Sequence, residues 1–147
     1  MKLVVDTNRI IAALLRDSTT RKILLSDKFE FLTVGITESE IEEHRQEIID
    51  KAKVTEEEFD RIFSLLLSKI LVISDVAIES KIEEAKRIMD RIDPEDTPFI
   101  ALSLAVENDG IWSDDKHFDQ QNRIKIWKTG AVLKLSEEDK FTDSAHL

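Results

Sequence analysis

Three aspartates stand where apolar runs end or begin. Asp6 directly follows "KLVV", Asp115 follows "GIWS", and Asp96 in "DPEDTPF" opens the nearly all-apolar "FIALSLAVE". Taken singly, each has an ordinary explanation. Asp6 reads as the N-cap of a helix beginning near Arg9, Asp115 as a turn or cap residue, and Asp96 as a cap before Pro98 in a first turn. Glu43, in "TESEIEEHRQEI", reads on its own as part of a solvated acidic face. The combination says more. Asp6 and Asp115 both leave the carboxyl ends of strands, and Asp96 starts the helix that leads into the second strand. Three carboxylates delivered to one sheet edge repel strongly unless a cation lies between them. All-oxygen ligation suits Mg²⁺ or Mn²⁺. Such an ion polarises a phosphate, lowers the pKa of a bound water and stabilises a leaving oxygen, so the pattern points to metal-dependent phosphoryl chemistry.

The elements that must position these acids follow from the hydrophobic pattern. "KLVV" (2–5), "FEFLTV" (29–34), "KILVIS" (69–74), "GIWS" (110–113) and "IKIW" (124–127) read as buried strands. Helical spacing is carried by Ile10, Ile11, Leu14 and Leu15, then by Ile23, Leu24 and Leu25. Thr37 and Glu40 form a capping-box pattern opening a helix to about residue 52, and Thr55 with Glu58 repeats it ahead of Phe59, Ile62, Phe63 and Leu66. Ile78, Ile82, Ala85, Ile88, Met89 and Ile92 predict one long amphipathic helix. Strands that read as apolar runs and are separated by helices indicate an α/β domain, with a parallel sheet of about five strands covered on both faces. Ligands of such sheets bind beyond the carboxyl ends of the strands.

Composition limits the function. The chain has 147 residues, 41% hydrophobic and 35% charged, and no cysteine, which excludes zinc–thiolate sites and cysteine nucleophiles. No apolar run approaches the ~20 residues of a membrane span, and "MKLVVDTN" does not read as a signal peptide, so a cytoplasmic protein without membrane attachment is expected. A net charge of −10 argues against broad electrostatic binding of nucleic acid. The charge is uneven, however. Acids crowd residues 30–60, whereas Lys116, Arg123, Lys125, Lys128 and Lys134 face Asp119 alone within 116–134.

Over roughly residues 2–130 the chain resembles the PIN domain nucleases, which include VapC-type toxins of toxin–antitoxin pairs. "LVVDTNRIIAALL" resembles the family's opening Asp-Thr/Ser-Asn and helix. "ITESEIEEHRQEI" resembles its second block, with the acid placed at Glu43 and Glu40 as runner-up. "IDPEDTPFIALSLAVENDGIWSDDKHF" is similar to its Asp-x-x-x-x-Ala-x-Ala segment and following Thr/Ser-x-Asp. This makes Asp96 the third acid, Asp115 the fourth and Ser113 the paired hydroxyl. The chain departs from the pattern at His117, where many members carry another acid. Asp114 or Asp119 is the candidate replacement.

The resemblance implies a three-layer α/β/α fold, with a PIN-like domain over residues 1–135 and an acidic tail over 136–147. It implies hydrolysis of single-stranded RNA with one or two Mg²⁺ or Mn²⁺ ions, with an antitoxin protein and a second copy of the chain as candidate partners. Asp6, Asp96 and Asp115 would contact the metal, while Glu43 would ligate it or orient the attacking water. Asn8 and Ser113 would hold carboxylates or water, and Thr7 would cap the first helix. Arg9 and Lys116 flank the acids and are candidate phosphate contacts. His44 and His117 read as solvated or partly packed. Trp112 reads as core, and Trp127 as the better candidate for base stacking. Two other classes compete. A haloacid-dehalogenase-type phosphatase needs an acid at position 8, which is Asn8. A catalytically inactive PIN-fold module binding RNA or protein would keep the acids and cleave nothing.

Overall fold

Along β1 (Lys2–Val5) successive side chains part to opposite faces, as strand geometry requires. Leu3 and Val5 enter one apolar cluster and Val4 the other. The computed structural model describes residues 1–15 and 18–145, the side chains of Ser18 and residues 139–145 excepted. β2 (Glu30–Val34), β3 (Ile70–Ile73), β4 (Ile111–Trp112) and β5 (Ile126–Trp127) complete a parallel sheet of order β3-β2-β1-β4-β5. Every strand runs one way, so each connection crosses a face of the sheet and both faces are covered. The three-layer α/β/α reading is what the structure shows.

One layer holds α1 (Thr7–Leu14), α2 (Ser18–Leu24), α3 (Ile36–Glu43), α4 (Arg45–Ala52), α5 (Glu56–Leu67) and α9 (Thr129–Ala145). Ile10, Leu24, Ile41, Ile49, Phe59 and Val132 from these helices join the cluster around Phe31 and Trp112. The opposite layer holds α6 (Asp75–Ile78), α7 (Ile82–Met89) and α8 (Thr97–Ala105). Apolar on all sides, α8 packs between α7 and strands β1 and β2, as a helix without a polar stripe must. Burial of each large side chain here contributes about 1.5–3 kcal/mol. Trp112 is fully buried and tilts against Phe31 at 5.7 Å, so it is core as expected.

Several local expectations change. Thr55 accepts from the Glu58 backbone N–H at 3.1 Å, as its capping pattern predicts. Thr37 does not cap. Gly35 holds the N-cap position of α3, and Thr37 lies inside the helix with its hydroxyl buried against Thr7 and Thr33, each at 3.1 Å. The predicted helix to residue 52 is interrupted at His44, where α3 ends and α4 begins. The helix expected over 78–92 is split by a 3-10 turn at Glu79–Lys81. α9 runs to Ala145, and residues 146–147 lie outside the described residues. No described helix is long and apolar enough to cross a membrane.

The sheet order has one functional consequence. From β1 the chain moves outward to β2 and β3, then returns to lay β4 on the other side of β1. The connections diverge at the carboxyl ends of β1 and β4, where open α/β sheets form a ligand crevice.

Candidate metal centre

The parallel register pairs Val5 with Trp112, so the next residues of the two strands meet: Asp6 beside Ser113. Asp6 is 3% exposed, and Ser113 Oγ donates to its Oδ2 at 2.5 Å. Oδ1 accepts from the Arg9 backbone N–H at 3.1 Å, so Asp6, rather than Thr7, caps α1. The same Ser113 oxygen accepts the Asp115 backbone N–H at 3.0 Å and turns the chain so that Asp115 faces the crevice. Asp115 in turn caps the 3-10 turn Lys116–Gln120 by accepting from the His117 backbone N–H at 2.9 Å.

Asp96 enters from the opposite layer. It holds the N-cap position of α8, yet its side chain makes no capping bond, while Asp93 caps the preceding 3-10 turn through the Glu95 N–H at 3.0 Å. Asp96 Oδ2 is buried without a hydrogen-bond partner, and His117 Nδ1, at 3.8 Å, is too far to be one. A buried carboxylate oxygen left unmatched is expensive. Burial pushes the Asp96 carboxyl up to about 7, with Asp115, Asp93 and Asp6 adding to the rise and His117 opposing it. Burial likewise pushes Asp6 up to about 6, against the Ser113 hydroxyl and the Arg9 N–H. Asp6, Asp96 and Asp115 therefore share one electrostatic neighbourhood, delivered by β1, the start of α8 and β4. Carboxylates raised by burial and by one another, one with an orphaned oxygen, fit a divalent cation.

Among the described residues, the group of side chains close enough to share one ion is Asp93, Asp96 and His117, whose atoms lie within 4.8 Å of one another; of Asp6, Asp96 and Asp115 only Asp96 belongs to it. Sequence reasoning did not single out Asp93. It read His117 as solvated or partly packed, and the signal available was its place two residues beyond Asp115, where many PIN domains carry an acid.

A family model described as the PIN domain matches residues 4–135. This chain belongs to the PIN domain family. Comparison with curated proteins finds no match. PIN domains are generally nucleases.

Other residues singled out from the PIN motifs are distributed differently. Glu43 is exposed, whereas Glu40, one turn earlier, is partly buried with the Thr7 hydroxyl beside it, and desolvation raises its carboxyl. Both line a cleft of about 530 Å³ with His44, Pro94, Glu95 and Pro98, next to Asp96. Asn8 is exposed and lines a separate cleft with Ile11, Leu15 and His44. Asp114 turns away from the acids. Its carboxylate accepts from the Thr129 N–H at 2.8 Å and the Thr129 hydroxyl at 2.6 Å, and pairs with Arg9 at 3.0 Å. Although burial opposes it, these donors and Arg9 hold Asp114 below the usual range. Arg9 is thus engaged inside the fold, reaching Thr129 at 3.3 Å as well. Asp119 pairs with Lys128 at 2.8 Å. Lys116 is exposed beside Asp115. Trp127 is only partly buried, but Lys125 Nζ covers its ring at 4.0 Å. Gly110 passes under the same ring with φ +129°, and a Cβ there would meet Lys125 O at 2.4 Å.

Proposed function

We propose that this PIN domain is a metal-dependent endoribonuclease that hydrolyses phosphodiester bonds of single-stranded RNA. The observation carrying this reading is the electrostatic coupling of Asp96 to Asp115, Asp93 and Asp6 at the β1/β4 crevice, with a buried Asp96 oxygen left unpaired. Asp6, Asp96 and Asp115 hold Mg²⁺ or Mn²⁺. When bound, the ion supplies a Lewis acid for the phosphate and an acidified water for in-line attack. Ser113 fixes Asp6 and the Asp115 turn. Glu40, rather than the more exposed Glu43, is the fourth acid, supported by its partial burial beside Thr7. Lys116 contacts a substrate phosphate, a role for which Arg9, paired to Asp114, is poorly placed.

A role as the toxin of a toxin–antitoxin pair, acting in the cytoplasm, extends this proposal. Its support is PIN membership together with exposed Leu71, Val72 and Val76 along edge strand β3 and α6, a surface for an antitoxin or a second copy of the chain.

The test is incubation of the purified chain with end-labelled single-stranded RNA. Cleavage is expected with Mg²⁺ or Mn²⁺, and its loss with EDTA, Asp6→Asn or Asp96→Asn. Full activity in both variants would remove the proposed centre. RNA binding without cleavage under any divalent ion would favour the inactive binding module.

A further inference from the structure

The centre differs from an all-carboxylate one in a specific way. His117 Nδ1 lies 3.0 Å from Asp93 Oδ2, 3.3 Å from Asp115 Oδ1 and 3.8 Å from Asp96 Oδ2. Adjacent ligands of an octahedral ion at about 2.1 Å stand roughly 3 Å apart, so two of these spacings match those of atoms sharing one cation. The groups are held for that purpose by their neighbours. Asp93 spends Oδ1 on the Glu95 N–H, which leaves Oδ2 facing the imidazole. The 3-10 turn carrying His117 is anchored by fully buried Phe118, while the imidazole itself remains 47% exposed and open to ions from solvent. Asp96, whose Oδ2 is orphaned, belongs to one group with Asp93 and His117.

We infer that His117 Nδ1 and Asp93 Oδ2 are, with Asp96, ligands of one cation in this centre, and that the nitrogen makes it favour Mn²⁺ over Mg²⁺. The inference rests on the metal-centre reading above. Mg²⁺ keeps to oxygen ligands and dehydrates reluctantly, whereas imidazole suits first-row transition ions, with affinity rising from Mn²⁺ towards Cu²⁺. A carboxylate at position 117 would leave the two ions nearly matched. The imidazole breaks that parity without adding negative charge to a crevice that already holds several acids.

Pulsed electron paramagnetic resonance of the Mn²⁺-loaded full chain tests the ligation, and calorimetric titration with Mn²⁺ and Mg²⁺ tests the preference. The Mn²⁺ spectrum is expected to carry ¹⁴N modulation that disappears in His117→Gln. That variant should lose about tenfold or more in Mn²⁺ affinity, the scale of losing a group that builds a metal site, with little change for Mg²⁺. Asp93→Asn should weaken both ions, and thermal melts of each variant check folding. Bound Mn²⁺ without ¹⁴N modulation, together with an unchanged Mn²⁺/Mg²⁺ ratio in His117→Gln, would overturn the inference. It would leave His117 an ion-pair partner and the nuclease reading intact. Failure of the native chain to bind Mn²⁺ would overturn both.

Discussion

Ser113 Oγ and Asp6 Oδ2 stand 2.5 Å apart, joining the residue after β4 to the residue after β1. The bond is fully enclosed, and the serine uses its proton on one acid while its lone pair receives the backbone of another. Ser113→Ala removes both at once, leaving the Asp115 N–H without its acceptor and Asp6 without its donor. Stability in urea denaturation should fall by about 1–3 kcal/mol, the cost of unsatisfied buried groups. Divalent-ion affinity should fall about tenfold as the first carboxylate loses its orientation. An unchanged metal isotherm would separate Ser113 from the centre.

The raised acids set a pH dependence. Asp6 and Asp96 titrate at about 6 and about 7 in the fold, against 3.8 for an ordinary aspartate. The folded state holds their protons more tightly. Their contribution to stability is therefore complete below about pH 3.8 and lost as pH rises through 6 and 7. Without metal, the protein should melt lower at pH 8 than at pH 5. Asp96→Asn should raise the melting temperature at pH 8 by several degrees, since each kcal/mol is about 2–4 °C at this chain length. A wild-type melting temperature that is flat or rising over this range would contradict the assignment.

Metal binding must run the opposite way with pH. An ion needs these carboxylates ionised, so binding releases protons and tightens as pH increases. Calorimetry in buffers of different ionisation enthalpy should register that release between pH 5.5 and 7.5. Asp96→Asn should abolish most of it.

Glu40 and Glu43 are separable by experiment. With Glu40 beside Thr7 and Glu43 in solvent, Glu40→Gln should slow RNA cleavage about tenfold or more, and Glu43→Gln should have little effect. The reverse result would restore Glu43 as the fourth acid.

The pairing of Arg9 with Asp114 predicts a structural phenotype. Arg9→Ala strips the Asp114 carboxylate of its cation and α1 of its tie to Thr129 at the start of α9. A stability loss of about 1–3 kcal/mol is expected, with KM for RNA unchanged. A raised KM in a variant of normal stability would instead make Arg9 a substrate contact.

Much of this was legible before any coordinates. Apolar runs marked the strands because a parallel sheet is buried on both faces, and the aspartates after "KLVV" and "GIWS" marked its carboxyl edge. What stayed hidden depends on partners distant in the chain. Asp114 and Asp115 differ only in what faces them, and Arg9 and Thr129 are both remote from that pair in sequence. Glu40 and Glu43 are one turn apart on α3, so helical periodicity puts both on nearly the same face. Burial distinguishes them, with Glu40 partly enclosed beside Thr7 and Glu43 in solvent. Thr37 has the right spacing for a capping box, yet its hydroxyl is drawn inward by Thr7 and Thr33. Asp93 was masked by a genuine cap, because one oxygen performs that duty while the other faces His117.

The seam between β1 and β4 also governs when the centre exists. Asp6 lies 107 residues before Ser113, with Asp115 and His117 following, and the two groups meet only when β4 docks against β1. A partly made polypeptide on the ribosome carries the first acid with nothing opposite it.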